Sequence, residues 1–514
     1  MSLGSAGENG SLIDEKKLEK YLVKGYLPTI GIECHVQLNT KTKLFSSVNN
    51  DARLAEPNEM VSAVDYALPG MLPVLNRDAV VKAARAGKAL NSEIARESRF
   101  DRKHYFYPDL PKGYQISQMY QPIIIGGHVD LPSGAKVRIH HAHLEEDAGK
   151  LTHFSDYTLV DLNRAGTPLI EIVAEPDIHS AGEAREYAEG LHGLMTYADV
   201  TDGDLYHGNM RFDVNISIAK SGEKLGTRIE IKNLNSFRSV ERATTYEINR
   251  QIEQLEKGEI IKQETRGWLD DKQKTVSQRS KEDAQDYRYM PDADVPPVIL
   301  NPEEIAEMQK NMPILPSEYR TKFKELGVDN SVIKVVLSSR NSAEVLNDVL
   351  QKDLKSAKKV ANYFGEMTEE AWGAEYNAGS AASHAIHRKE TESTRYNKMI
   401  DEMVILSKMV SDSEISSNAG KEIFVSLLVD SEGWIDNGVE VMAKEKGLIQ
   451  SNDTSGIEKI VDEVLATPAC AKAVADFKNG EEKVIGFLVG QVMKASKGQA
   501  NPSLAQKLIR EKLQ

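Results

Sequence analysis

Residues 29–38 alternate apolar and polar side chains, and two of the polar ones are suited to binding a metal ion. Glu33 and His35 stand two positions apart, so in a β-strand they project from the same face at a separation of ~7 Å. Cys34, between them, points to the other face. Because a carboxylate and an imidazole at this spacing can share one metal ion, the pattern predicts a strand with a metal-binding face.

Acidic side chains in three further segments suit the same chemistry. Asp213 lies on the polar face of one alternating segment, and Glu230 and Lys232 lie on the polar face of another. Glu171 is the one acid in an apolar run, where a charge needs a partner or a cation. A water-facing sheet surface explains any one of these strands. Metal-type and phosphate-type groups recurring at the polar positions favour a shared site.

Three consecutive acids, Glu145, Glu146 and Asp147, precede Gly149 and Lys150. Adjacent carboxylates repel one another and raise each other's pKa unless a cation lies among them. Oxygen ligands of this kind suit magnesium or manganese. The run therefore predicts a cation site, with a flexible acidic turn as the alternative.

The composition excludes several classes of protein. The 514 residues contain 64 Lys and Arg against 78 Asp and Glu, and a formal charge of −14 argues against indiscriminate coating of polynucleotides. Cys34 and Cys470 are the only cysteines, too few for a disulfide scaffold or a cysteine zinc site. No apolar stretch approaches the ~20 residues that span a bilayer, so we expect no membrane association. A reducing, cytoplasmic location is the expectation.

The chain is expected to fold as an α+β domain followed by helical domains. Residues 1–24 are predicted to be a disordered tail and residues 25–300 a domain of short strands with a few helices. Prolines accumulate in residues 287–316 and predict a boundary there. Helical units are then predicted for residues 301–395 and 396–514, with one long amphipathic helix over residues 341–364.

Several long motifs are distributed from about residue 25 to the C-terminus. In the first half they are residues 31–38 (GIECHVQL), 105–115 (YFYPDLPKGYQ), 143–150 (HLEEDAGK), 161–173 (DLNRAGTPLIEIV), 230–237 (EIKNLNSF) and 286–292 (DYRYMPD). Near the C-terminus they are residues 486–494 (GFLVGQVMK) and 497–502 (KGQANP). In sequence and in order, these motifs resemble the B subunit of aspartyl/glutamyl-tRNA(Asn/Gln) amidotransferase.

The resemblance implies a catalytic cradle domain on an antiparallel sheet related to glutamine synthetase. A helical domain and a C-terminal tail domain that holds tRNA are implied to follow. The implied reaction uses ATP to phosphorylate the carboxylate of glutamate on tRNA(Gln), or of aspartate on tRNA(Asn), and replaces the phosphate with ammonia. Phosphorylation is needed because a carboxylate repels nucleophiles and oxide is a poor leaving group. Magnesium would neutralise charge on the phosphate oxygens.

By the same resemblance, Glu33, His35, Glu146 and Glu171 are the expected magnesium ligands and catalytic residues. Imidazole is an unusual magnesium ligand, so His35 is also compatible with a contact through water or to phosphate. Glu145, Asp147, Asp213 and Glu230 are weaker candidates for a second ion or for the outer shell of the first. The expected nucleotide contacts, for several of which surface ion pairing is the alternative, are Lys150, Arg164, Asp213, Glu230 and Lys232.

Contacts to tRNA are implied in the tail, where residues from Lys472 onward include eight basic and four acidic side chains, a net charge of +4. An ordinary solvated helix end is the alternative explanation. Glycines there would leave room for an RNA backbone. The implied contact residues are Gly490, Lys494, Lys497 and Gly498.

Two properties of the family are expected to differ or to be supplied by other chains. Many members carry cysteine pairs at positions that here hold Ser62 and Asp65, so we expect no structural zinc. The chain has neither a serine–lysine amidase signature nor a suitably placed cysteine for releasing ammonia. The resemblance therefore implies a heterotrimer with a glutaminase A subunit and a small C subunit. Two rival interpretations are a free-standing glutamine-synthetase-like ligase and a catalytically silent tRNA adaptor.

Overall fold

The computed structural model describes residues 18–280, 287–367, 393–429, 434–450, 454–496 and 500–513. The chain divides into two compact units, Met1–Pro316 and Ser317–Gln514, and the division follows the proline-rich segment. Residues 1–17 of the predicted tail lie outside the described residues. Its last residues include a 3-10 helix, Glu19–Tyr21, whose Tyr21 hydroxyl donates to Glu183. The finer predicted boundaries at residues 24, 300 and 395 stay predictions.

A ten-stranded sheet forms the centre of the N-terminal unit. Its strands are β1 Tyr26–Gln37, β2 Glu93–Ile94, β6 Ile124–Ile125, β7 His128–Asp130, β8 Lys136–Glu146, β11 Pro168–Ala174, β12 Met210–Lys220, β13 Ile229–Leu234, β14 Glu264–Leu269 and β15 Lys274–Ser280. Neighbouring strands run in the order β15-β14-β13-β12-β1-β11-β8-β6-β2, and β7 pairs with β8. All pairs are antiparallel except β13 with β14.

In the described residues of this unit, three small sheets and four α-helices accompany the large sheet. The small sheets pair β16 with β4 and β4 with β5, β9 with β10, and β3 with β17. Their bounds are β3 Glu97–Ser98, β4 Asp101–His104, β5 Tyr114–Ser117, β9 Lys150–His153, β10 Thr158–Asp161, β16 Met290–Pro291 and β17 Val298–Ile299. The α-helices are α1 Arg77–Ala89, α2 Ala181–Tyr197, α3 Phe237–Glu256 and α4 Pro302–Lys310, and a 3-10 helix spans Asp270–Lys272.

One face of the large sheet is apolar and covered, which leaves its polar side chains on the other face. On β1, Ile32 and Cys34 are fully buried, in the same core cluster as Tyr187 of α2 and Val240 of α3. The polar residues between them are only partly buried. This alternation follows from the two-residue period of a strand. It confirms the predicted polar face of residues 29–38.

A β-bulge changes the phase of β8. Val173 of β11 pairs with His141, whereas its neighbour Ala174 pairs with Ile139, so His140 is an extra residue in β8. Such an extra residue shifts every later side chain to the opposite face. Ile139 is buried before the bulge, and Leu144 is buried after it.

Ser62 and Asp65, where we expected no structural zinc, belong to an ion-pair cluster. Asp65 accepts from the Lys43 ammonium at 3.3 Å and from the Ser62 backbone N–H at 2.8 Å. Both charged side chains are buried, and burial lowers the pKa of Lys43 while Asp65 opposes that effect. The cluster therefore connects residue 43 to the loop at residue 65 without cysteine.

The second unit is built of helices in all its described regular elements. None of the helices in the described residues is long and apolar enough to cross a membrane. The α-helices are α5 Pro316–Glu325, α6 Asn330–Val336, α7 Arg340–Lys352, α8 Leu354–Gly365, α9 Ser393–Ser411, α10 Ser417–Val429, α11 Trp434–Asn437, α12 Val439–Glu445, α13 Thr454–Leu465, α14 Ala471–Lys478, α15 Ile485–Ala495 and α16 Pro502–Leu513, with a 3-10 helix at Glu482–Val484.

The prediction of one helix over residues 341–364 was wrong, because the chain breaks there into α7 and α8. Asp353 adopts an extended backbone (φ −154°, ψ 115°). Its carboxylate accepts from the Ser356 N–H at 2.7 Å and caps the start of α8. The apolar period continues across the break, so the period alone did not reveal it.

Candidate active site

Polar side chains form a row across five neighbouring strands of the large sheet. The pairing places His35 of β1 opposite Glu171 of β11, and Glu171 opposite His143 of β8. On the other side, Glu33 of β1 lies opposite Asp213 of β12. Directly paired residues share a face, so these side chains project from the same side of the sheet. The row continues into β13, where Glu230 lies opposite Asn215 of β12.

One group in the row could hold a metal ion. His35, Glu145 and Glu171 each offer a ligand atom, and these atoms lie within 4.8 Å of one another. The His35 Nε2 atom is 3.7 Å from a Glu145 oxygen and 3.6 Å from a Glu171 oxygen. Two ligands at ~2.1 Å from one ion are about 3–4 Å apart, so the group needs only a small contraction to bind one. The chemistry suits a hard divalent cation.

A second histidine contacts both acids of this group. His143 Nε2 lies 3.5 Å from an oxygen of Glu145 and 3.5 Å from an oxygen of Glu171. Burial lowers the pKa of His143, but the two carboxylates outweigh that effect and raise it. Burial raises the pKa of Glu145, whereas His143 and Lys103 hold it below its usual range. The sequence motif contained His143, but its contact with both acids requires the paired strands.

Glu146, one of the expected magnesium ligands, lies outside this group. Its carboxylate is buried on the opposite face of β8 from Glu145, where it accepts from the Ile116 N–H at 2.9 Å and from the Lys112 ammonium. Consecutive strand residues point to opposite faces, so Glu145 and Glu146 cannot both face the same ion. The structure therefore places Glu145 where we expected Glu146.

Glu33 lies beside the group, and neighbouring carboxylates repel its own carboxylate. One of its oxygens accepts from the Asn215 side-chain N–H at 2.9 Å. Burial raises the pKa of Glu33, and repulsion from Glu171, Glu230 and Asp213 raises it further. A cation in the neighbouring group would relieve part of this repulsion.

Lys232 neutralises the other end of the row. Its ammonium lies 3.3 Å from Asp213 and 3.0 Å from Glu230. Asp213 also accepts from the Asn233 N–H at 2.8 Å. Burial lowers the pKa of Lys232, but the two carboxylates raise it well above its ordinary value. These three expected nucleotide contacts thus form an ion-pair cluster within the chain.

Arg164 and Asp147 brace the loop that follows β8. The Arg164 guanidinium donates to the carbonyl oxygens of Ala148 at 2.9 Å and Gly149 at 2.8 Å. Asp147 accepts from Arg211 at 3.0 Å. Lys150, by contrast, is exposed at the start of β9.

Two family models match this chain. The GatB/GatE catalytic domain matches residues 28–306, which contain the whole polar row, and the GatB domain matches residues 379–513. The chain belongs to the family of the GatB/GatE catalytic domain. The first model covers more than half of the residues, including every proposed metal ligand.

Curated relatives match the chain along nearly their whole length. Each is named as the B subunit of an aspartyl/glutamyl-tRNA(Asn/Gln) amidotransferase. The protein from Polynucleobacter asymbioticus is 44% identical over 499 residues, which are 94% of this chain and 99% of the relative. For Bdellovibrio bacteriovorus the identity is 45% over 496 residues, or 95% and 99% of the two chains. For Alkalilimnicola ehrlichii it is 46% over 492 residues, or 94% and 98%.

In the region matched by the GatB domain model, two of the expected tRNA contacts can be placed. Gly490 and Lys494 lie one helical turn apart on α15, and both are exposed. A Cβ added at Gly490 would meet no heavy atom within 4 Å, so the helix surface there is open. Lys497 and Gly498 lie outside the described residues.

Proposed function

We propose that this chain activates the side-chain carboxylate of a misacylated tRNA with ATP and then converts it to the amide with ammonia. The substrates would be glutamate on tRNA(Gln), aspartate on tRNA(Asn), or both. The observation that carries this proposal is the group His35–Glu145–Glu171, which lies on the polar face of the sheet within the matched catalytic domain. The names of the relatives supply the substrate class.

The reaction consists of two displacements. In the first, a carboxylate oxygen of the aminoacyl group attacks the γ-phosphorus of ATP, and the bond to the β-phosphate oxygen breaks to release ADP. In the second, ammonia attacks the acyl carbon and inorganic phosphate leaves with the bonding electrons. The nitrogen then loses a proton to give the neutral amide.

Glu145, Glu171 and His35 would hold a magnesium ion for the first displacement. The donor set fits, because carboxylate oxygens are the preferred ligands of this hard ion and the imidazole lies within reach of the same point. Bound there, magnesium would supply positive charge to the phosphate oxygens. His143 would orient both carboxylates, and Glu33 would join the ion directly or through water. Glu146 would act as a support of β8.

Among the expected nucleotide contacts, we assign the contact to a phosphate to Lys150. It is exposed and begins the strand that follows the acidic loop. Arg164 and Lys232 already bind oxygens of their own chain, so we assign them to the support of that loop and of the row. Asp213 and Glu230 would belong to the same supporting cluster.

The larger arrangement is also proposed from the family. The N-terminal unit would be a cradle related to glutamine synthetase, and the C-terminal helices would hold tRNA. The open surface at Gly490 and the exposed charge of Lys494 support a contact to an RNA backbone. Ammonia would come from a glutaminase A subunit, with a small C subunit completing a heterotrimer.

ATP hydrolysis by the purified complex tests this proposal. Addition of misacylated tRNA should stimulate release of ADP without glutamine, and Glu171→Gln should abolish the stimulation. Equal stimulation by free glutamate would favour a free-standing ligase. Tight tRNA binding without any ATP turnover by the wild type would favour a silent adaptor.

A further inference from the structure

Lys103 faces the metal group from the small sheet beside the end of β8. It lies on β4 directly opposite Gln115 of β5, so the two side chains share a face. Gln115 donates to the Glu146 carbonyl oxygen at 2.7 Å, and Ser117, two positions further along β5, donates to a Glu145 oxygen at 3.3 Å. This face of the small sheet therefore looks onto the acids of β8.

The ammonium of Lys103 is supported by aromatic rings. Its Nζ atom lies 5.1 Å from the ring centroid of Tyr287, a distance at which the ring face attracts a cation. The Tyr287 ring in turn lies 6.2 Å from that of Tyr105 and 6.1 Å from that of Tyr289. Burial lowers the pKa of Lys103, but Glu145 and Glu171 raise it above its ordinary value, so the group carries a full charge.

Lys103 differs from the other lysines near the row. Lys112 contacts Glu146, and Lys232 contacts Asp213 and Glu230. Among the residues that the structure describes, no carboxylate oxygen lies within the 4.0 Å of an ion pair around Lys103 Nζ. The ammonium thus lies on the face of the small sheet that contacts Glu145 but forms no ion pair with an acid in the described part of the chain. A charged donor on this face is therefore available to a bound anion.

We propose that Lys103 is a catalytic residue that donates to a non-bridging oxygen of the phosphoryl group transferred from ATP. This inference rests on the proposed function. The phosphoryl group would lie between the ammonium and the group His35–Glu145–Glu171. A magnesium ion held by that group would supply positive charge from one side, and Lys103 supplies it from the other. Lys103 keeps its proton throughout, because its role is charge stabilisation and not proton transfer. The transferred group is the γ-phosphate, which ADP lacks, so this contact would be made by ATP and not by ADP.

The test compares affinities for ATP and ADP in the purified complex, by calorimetry in the presence of magnesium. Lys103→Met should weaken ATP binding about tenfold or more, as expected for loss of a charged hydrogen bond, and leave ADP binding within about twofold. It should also lower kcat for ATP hydrolysis stimulated by misacylated tRNA about 100-fold. Lys103→Gln gives the same test if the Met variant does not fold. Lys274→Met, an exposed strand lysine, is the matched control.

Equal losses of affinity for ATP and ADP would indicate a merely structural role and overturn the inference. An unchanged kcat would also overturn it. A variant with normal ATP binding but a raised KM for misacylated tRNA would place Lys103 on the aminoacyl carboxylate instead and also contradict it. Failure of the proposed function is distinguishable, because the wild type would then show no ATP turnover stimulated by misacylated tRNA.

Discussion

The two ends of the polar row compensate their charge differently. At the β12–β13 end, Asp213 and Glu230 both contact the ammonium of Lys232. At the β11–β8 end, Glu145 and Glu171 face histidine rings at 3.5 Å or more. An acid in direct contact with an ammonium is already paired within the chain. Glu145 and Glu171 instead face histidine rings and the charge of Lys103, with which they form no ion pair, so an added ion would stabilise them further. The contrast supports assigning a structural cluster to one end and the proposed metal site to the other.

The largest effect is expected at the uncompensated end. Glu171→Gln removes a charge from the metal group but keeps the side-chain volume. We expect kcat for ATP hydrolysis stimulated by misacylated tRNA to fall about 100-fold or more, because charge stabilisation of the phosphoryl group is lost. Asp213→Asn, at the compensated end, is the control and should lower kcat less. A larger loss for Asp213→Asn would reverse the assignment of the two ends.

A smaller but more specific difference is expected between two neighbours on β8. Glu145→Gln should weaken binding of Mn²⁺, measured by electron paramagnetic resonance, about tenfold because one carboxylate ligand is lost. Glu146→Gln should leave the affinity within about twofold, because that side chain contacts Ile116 and Lys112 on the other face. If Glu146→Gln alone weakened binding, the phase assigned to β8 would be incorrect.

Lys232→Met tests whether the compensated end is structural. It leaves the buried Asp213 without its cation, so we expect the free energy of unfolding to fall by about 1–2 kcal/mol, a value reduced by the partial exposure of the lysine. Denaturant unfolding measures the change, and Lys274→Met should stay within about 0.5 kcal/mol of the wild type. Unchanged stability together with weaker ATP binding would return Lys232 to the nucleotide site.

The smallest effect concerns pH in metal-free protein. Burial and the neighbouring acids raise the pKa of Glu33 in the fold, so the folded state binds this proton more tightly than the unfolded state. Stability from this group is therefore present at low pH and is lost as the pH rises from the unfolded value through the folded one. Glu33→Gln should be more stable than the wild type at pH 7, and the difference should vanish below pH 4. Denaturant unfolding at several pH values checks both points, and an equal difference at every pH would contradict burial and acid repulsion as the cause.

Much of the row could be predicted because strands reveal their faces in the sequence. Alternation placed Glu33 and His35 on one side of a strand, and the pairing of β1 with β11 confirmed that Glu171 lies next to them. The composition of the apolar run around Glu171 carried that signal. The order of the motifs also predicted the family, which both family models confirm.

Two parts of the structure could not be predicted from the same patterns. The choice between Glu145 and Glu146 depends on the bulge at His140, which breaks the alternation that begins at Val137 and Ile139. No sequence pattern pointed to Lys103, because its neighbours along the chain are also charged. Its proposed role depends on a small sheet that is assembled from distant segments.

The extra residue in β8 gives the two halves of that strand opposite rules for substitution. Before residue 140, the buried positions that require apolar side chains are odd-numbered, Val137 and Ile139. After residue 140 they are even-numbered, Ala142 and Leu144. Loss of one residue at the bulge would exchange the environments of Leu144 and Glu145, carrying a carboxylate into the core and a leucine toward His35 and Glu171. The length of this strand is therefore as strict a requirement for chemistry as the identity of its acids.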